Sequence, residues 1–365
     1  MMSVPTSQRI VLAVAVAVAV SLPVPVGLGA VTNASLAGQT SSSDRSRFVG
    51  TYRLLTTEVK DASGTWSRTP NFNSIGYITY AETGHMAVHI MPRARPRFAG
   101  NVPTPEEAQS ALRGYGAYYG SFTVNDKEKF VVHHRFGQIN PGGDVDVRRY
   151  FDFDGDRLTL TPPPAGGGGK EKATTRIVWE RLPNAPLSAE AKKFVGFYKL
   201  LYTDSYRTRN GKEVFHGDKV YARAGSYIIY TPTGHMMVHL MDKDGRTKYA
   251  GAQPTPDEAL KAYRSYGGYF GRFTTYENHT PRFVMHNQQG TLNPQRDVDA
   301  TKRFYEFTGN VLRLGGPPTL NAAGEMARGA PVLGAAGVSA VALRLSRRDA
   351  PDAGTPRRDA TTRML

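Results

Sequence analysis

"YITYAETGHMAVHIM", residues 77 to 91, returns as "YIIYTPTGHMMVHLM" at residues 227 to 241. Side chains alternate across a strand, so Met86, Val88 and Ile90 share one face while His85, Ala87, His89 and Met91 share the other. The second copy sorts identically, with Met236, Val238 and Leu240 set against His235, Met237, His239 and Met241. Both faces carry apolar side chains. This predicts a strand covered on both sides, one face toward a barrel interior and the other toward a helix or a sister barrel.

The repetition runs outward from this stretch in one order. "FVGTYRLL" (48 to 55) matches "FVGFYKLL" (194 to 201), and "TPEEA" (104 to 108) matches "TPDEA" (255 to 259). "YGAYYGSF" (115 to 122) matches "YGGYFGRF" (266 to 273), "NPGGDVD" (140 to 146) matches "NPQRDVD" (293 to 299), and "RYFDF" (149 to 153) matches "RFYEF" (303 to 307). Solenoid units run about 20 to 50 residues, so a period this long makes each copy a whole domain. The expected units are residues 47–183 and 193–347, joined through "RLPNAPLSAEAKK", where Ser188 suits a helix N-cap.

A chain of 365 residues fits two such cores, and 38 Gly with 24 Pro favour short strands and turns over helices. Arg9 precedes the apolar run "IVLAVAVAVAVSL", and small residues follow Pro23 and Pro25, so residues 1–34 are expected to be a signal peptide. The protein is then expected to be exported, periplasmic or secreted, touching a membrane only if that segment stays uncleaved. No cysteine is present, which excludes disulfides, thiol catalysis and thiolate metal sites. The net charge of +15 is dispersed without basic runs, so nucleic acid is not an expected partner. Residues 348–365 lack apolar periodicity and are expected to form a disordered basic tail.

Inside each copy, short alternating runs alternate with Gly, Asn and Pro, and Asp154-Gly155 in "FDFDGDRLTL" marks a tight hairpin. One helix interrupts the strands: Thr104, Pro105 and Glu107 spell a capping box with proline at the first helical position, repeated by Thr255, Pro256 and Glu258. The glycine run in "PPPAGGGGKEK" is not a phosphate loop, since Pro164 replaces the first glycine and Glu171 follows Lys170. The expected fold is all-β: two tandem antiparallel barrels, each with one short helix as lid or plug, because closure removes the sheet's edges.

The succession "GTYRL" (50 to 54), "GYITYAETGHMAV" (76 to 88), "YGAYYGSF" and "RRYFDFDGDRLTLTPPP" (148 to 164) resembles the bacterial and fungal lipocalin-like domain family, and residues 196 to 318 repeat it more loosely. The resemblance implies a lipocalin-type or allene-oxide-cyclase-type barrel around a central cavity. Related barrels include carriers and enzymes, so the fold alone leaves function open.

Three groups of residues carry candidate chemistry. His85 and His89 are four apart on a strand, about 13 Å, too far to share one ion, and no metal site is expected. His133 and His286 match between copies, and the alternatives are packed, hydrogen-bonded rings or ligand contact and acid–base work. Arg149 shares the face of Phe151 and Phe153, and Arg303 that of Tyr305 and Phe307, so each points inward and needs a partner. The resemblance implies one: a late-strand arginine closing over the ring of Gly50-Thr51-Tyr52 or Gly196-Phe197-Tyr198, a cation–π contact. The tyrosines Tyr77, Tyr80, Tyr115 and Tyr118, repeated as Tyr227, Tyr230, Tyr266 and Tyr269, are large fillers whose hydroxyls could orient a guest. Tyr77, Tyr80, Tyr118, Tyr227, Tyr230 and Tyr269, with His89, His133, Arg149, His239, His286 and Arg303, are the expected ligand-binding set. The expected function is binding of a small hydrophobic or amphipathic molecule without a cofactor. The alternatives are a cyclase, isomerase or lyase using His89, His133 or Tyr118, and a structural protein with filled barrels.

Overall fold

The computed structural model describes residues 43–335 apart from 71, 220–222, 224, 297 and 321–324. The expected signal peptide and basic tail lie outside the described residues. The first copy comprises α1 (Ser43–Phe48), β1 (Gly50–Lys60), β2 (Trp66–Arg68), β3 (Ser74–Tyr80), β4 (His85–Pro92), α2 (Pro105–Leu112), β5 (Gly116–Asn125), β6 (Phe130–Gln138), β7 (Asp146–Asp154), β8 (Arg157–Thr161) and β9 (Thr175–Arg181). Strands β1 and β3 to β9 pair antiparallel in order and β9 returns to β1, closing an eight-stranded barrel.

The second copy repeats this with α3 (Ala189–Phe194), β10 (Gly196–Arg209), β11 (Lys212–Lys219), β12 (Tyr227–Tyr230), β13 (His235–Met241), α4 (Pro256–Arg264), β14 (Tyr266–Tyr276), β15 (Phe283–Thr291), β16 (Ala300–Thr308), β17 (Val311–Gly315), β18 (Thr319–Leu320) and β19 (Met326–Ala335). Here β19 closes onto β10. Strands β2, β11 and β18 pair only with the ends of their neighbours, as ribbons beyond the two walls.

The walls bulge at matching positions, between Leu54 and Thr56 and again between Leu200 and Tyr202. A second matching pair falls between Tyr119 and Gly120 and between Phe270 and Gly271. The last pair explains one glycine of the repeated "YGxYxG" motif. A Cβ on Gly120 would lie 1.8 Å from the carbonyl oxygen of His134, and one on Gly271 would lie 2.0 Å from that of Asn287. The neighbouring backbone comes too close for any side chain.

Each barrel packs its own core. Tyr52, Ile78, Met86, Val88, Phe122, Val131, Leu158 and Trp179 fill the first. Tyr198, Ile228, Met236, Val238, Phe273, Val284 and Leu312 fill the second. A helix plugs each one, and it is not the helix expected from the capping boxes. Phe48 at the end of α1 is fully buried against Tyr80, Phe151 and Phe153, and Phe194 at the end of α3 meets Tyr230, Tyr305 and Phe307 in the same way. Among the described residues, each copy therefore carries two α-helices rather than one, besides a three-residue 3-10 turn at Lys170–Lys172 in the first and Pro294–Arg296 in the second.

Both capping boxes form, with Thr104 accepting from Glu107 and Thr255 from Glu258. Helices α2 and α4 pack on each other, and their buried Ala108, Ala111, Ala259 and Ala262 lie between the barrels instead of over either mouth. Small alanine faces let the two helices approach closely, so they serve as a clasp.

Candidate functional site

The repeated strand sorts its two faces between two environments. Met86 and Val88 face the first barrel's interior, whereas Ala87 and Met91 face a third apolar cluster built from both barrels. That cluster is the joint, and it joins Tyr77, Tyr115 and Tyr119 to Tyr227, Tyr266 and Phe270. At its centre the rings of His89 and His239 stack with centroids 4.1 Å apart and planes 20° from parallel.

The hydrogen bonds fix the state of His89. Its Nε2–H donates to the carbonyl of Val238 at 3.2 Å, so Nδ1 accepts from the Tyr115 hydroxyl at 3.1 Å. His239 pairs through Nδ1 with Tyr266 at 2.7 Å, and its Nε2 is buried without a hydrogen-bond partner. Burial pushes His89 down to about 3 and also holds His239 well below the ordinary histidine range. Gly268 makes room for the pair, since a Cβ there would sit 2.9 Å from Cε1 of His89.

Tyr77 and Tyr227 belong to the same joint. Tyr77 donates to Gln289 at 3.0 Å across the barrels, and Tyr227 rests against Tyr119 with ring centroids 5.4 Å apart. Four of the twelve expected residues, Tyr77, His89, Tyr227 and His239, thus lie outside the barrels, between them. His89 and His133 stand on opposite sides of the wall and share no site.

The other eight meet inside the barrels, four in each. In the first, Tyr80 bonds Nε2 of His133 at 2.9 Å and Tyr118 bonds Nδ1 at 2.9 Å. In the second, Tyr230 bonds Nε2 of His286 at 2.8 Å and Tyr269 bonds Nδ1 at 2.9 Å. Both histidines are fully buried. Burial and then the charge of Arg149 push His133 well below its ordinary value, and burial with Arg303 pushes His286 down to about 3. Both rings are therefore neutral at physiological pH. Tyr118, Arg149, Tyr269 and Arg303 remain half-buried, so each polar layer keeps one wet side.

Arg149 and Arg303 do not close over the rings of Tyr52 and Tyr198. That place in the first barrel belongs to Arg181 at the end of β9, 4.7 Å over Tyr52. Arg181 also donates to the hydroxyl of Tyr52 and to the carbonyls of Val49 and Arg47. Closure brings β9 beside β1, which places Tyr52 opposite Arg181, whereas Arg149 stands on β7 beside Val131 of β6. The second barrel has Ala335 opposite Tyr198, and the Tyr198 hydroxyl donates to the carbonyl of Lys193. Sequence reading missed Arg181 because only the last pairing of the barrel brings it to Tyr52.

A groove of about 450 Å³ runs outside the second barrel between the linker residues Ala185 and Leu187 and the side of Arg272 and Gln289. None of the Tyr–His–Tyr residues lines it. No cluster of three or more histidine or carboxylate groups able to hold a metal occurs among the described residues.

No curated protein sequence matches the chain. A solved structure of a protein of unknown function from the DUF3598 family of Nostoc punctiforme aligns over 81% of this chain and 100% of its own, at 8% identity and a TM-score of 0.20. The lipocalin-like domain profile matches residues 49–182 and again 195–330. With two closed eight-stranded barrels across those same spans, the chain belongs to the lipocalin-like domain family and carries the domain twice in tandem.

Proposed function

We propose that this is an exported protein that binds small hydrophobic or amphipathic molecules, one in each barrel. The observation that carries this reading is the polar layer built twice within an apolar interior: a fully buried histidine held between two tyrosines with an inward arginine beside it. Packing alone would favour apolar side chains at these positions, because buried polar groups stabilise only when every partner is satisfied. A few polar groups converging in an apolar cavity are what orient a guest. Export is supported by the apolar segment after Arg9.

An acid–base role for the same residues is disfavoured by the state of the histidines. A ring pushed down to about 3, as His286 is, makes a weak base at neutral pH. Proton transfer works best when the group's pKa lies near the working pH.

Native mass spectrometry of the gently purified full chain tests the binding reading. A retained organic mass, released by denaturing extraction, is the expected result. A bare polypeptide, together with an unchanged melting temperature across lipid, phenolic and polyketide panels, would overturn it.

A further inference from the structure

The polar layer of each barrel is rich in donors and short of acceptors. A neutral imidazole has one N–H and one bare nitrogen. Of the two tyrosines on His133, one donates its proton to the bare nitrogen and the other accepts the ring N–H. That second tyrosine keeps its own hydroxyl proton uncommitted, whichever tautomer is present. The same holds for Tyr230 and Tyr269 on His286. Burial keeps the hydroxyls of Tyr80 and Tyr230 protonated.

The arginines add donors and no acceptor. Arg149 donates to the carbonyl of Arg148 at 2.8 Å, and the charge of Arg303 acts on the Tyr269 hydroxyl. Among the described residues, neither has a carboxylate within ion-pair distance, although Asp144 acts on Arg149 from farther away. The acidic side chains of the same strands point outward, where Asp152 pairs with Lys170 and Glu306 with Arg313. Arg135, 4.3 Å over the ring of Tyr118, adds more positive charge to the first barrel.

We infer that the guest of each barrel carries an anionic head, a carboxylate or an oxygen anion of similar shape, held by Arg149 with its Tyr–His–Tyr set and by Arg303 with its own. This deepens the binding reading and rests on it. A half-buried guanidinium without a counter-charge is costly, and an anion supplies the missing acceptor for both the arginine and the spare hydroxyl proton. The guest's apolar remainder lies along half-buried side chains of the same cluster, among them Ile90, Val124 and Ile177 in the first barrel.

Isothermal titration of the full chain with octanoate, decanoate and naphthoate, each against the matching primary alcohol, tests the head group. The carboxylates are expected to bind at least about tenfold more tightly than the alcohols, because hydrogen bonds to charged groups contribute the most. Two carboxylates are expected per chain, since the arrangement is built twice. Arg149→Met and Arg303→Met should each lower the number of carboxylates bound per chain from two to one, with circular dichroism showing the chain still folded; two carboxylates still bound with unchanged affinity would overturn the role of the arginine. Equal binding of acid and alcohol would overturn the anionic head while leaving the binding reading intact. Absence of binding by every probe, with no retained mass in the native spectrum, would overturn both.

Discussion

Gly120 shows how much one residue decides. Alternation along β5 turns Tyr119 into the joint and Tyr118 into the first barrel, and the bulge beside Gly120, whose extra residue is Phe136 of β6, brings β6 backbone to within 1.8 Å of where a Cβ would stand. Gly120→Ala is expected to destabilise the protein by about 1–3 kcal/mol through forced backbone movement. Urea denaturation checks this, and an unchanged midpoint would mean that the wall can yield there. His89 and His133 make the complementary point: identical side chains on two neighbouring layers of one wall end in different chemistry, one stacked in a joint and one hydrogen-bonded inside a barrel.

Among the elements, the short helices divide the work. α2 and α4 begin with complete capping boxes, which stabilise their first turns without tertiary help, and their alanine faces then meet across the joint. α1 and α3 have only six residues each, too short to persist alone, and are held by what they bury. Phe48 is the anchor of α1, edge-on to Tyr80, Phe151 and Phe153 with centroids about 5 Å away. Phe48→Ala is expected to cost about 3–5 kcal/mol, the range for deleting a buried aromatic ring. Chemical denaturation would register the loss as a lower midpoint. A cost under about 1 kcal/mol would mean the cavity collapses and the helix is not a plug.

At the scale of the whole molecule, two barrels are held together by an aromatic joint with two neutral histidines at its centre. Four fully buried histidines, His89, His133, His239 and His286, all sit below their ordinary range, first because of burial. The unfolded chain takes up protons at these rings from about pH 6.5 downward. The folded chain keeps them neutral until far lower. The stability they represent is therefore whole above about pH 6.5 and is lost as the pH falls toward the folded values, at about 1.4 kcal/mol per pH unit for each ring. Four such slopes together consume a total stability of about 5–15 kcal/mol within about one to three pH units. Urea midpoints are expected to fall already between pH 6 and 5, above the range of ordinary carboxylates, and a flat profile down to pH 4 would contradict the neutral buried rings.

The sequence by itself determined whatever depends on near neighbours along the chain. Alternation assigned the two faces of the strand at residues 85–91, and it put Arg149 on the face of Phe151. Spacing identified both capping boxes, and the ordered repeat announced two copies of one unit. These were legible because strand and helix periods and cap geometry are local. Only the tertiary structure decided which partners meet. It set His133 between Tyr80 and Tyr118, stacked His89 on His239, gave the ring of Tyr52 to Arg181 instead of Arg149, and made α1 and α3 the plugs. Each of those contacts joins residues far apart in the chain and follows from strand register and barrel closure. Register is the sum of every bulge and loop around the wall, so no single stretch of sequence displays it.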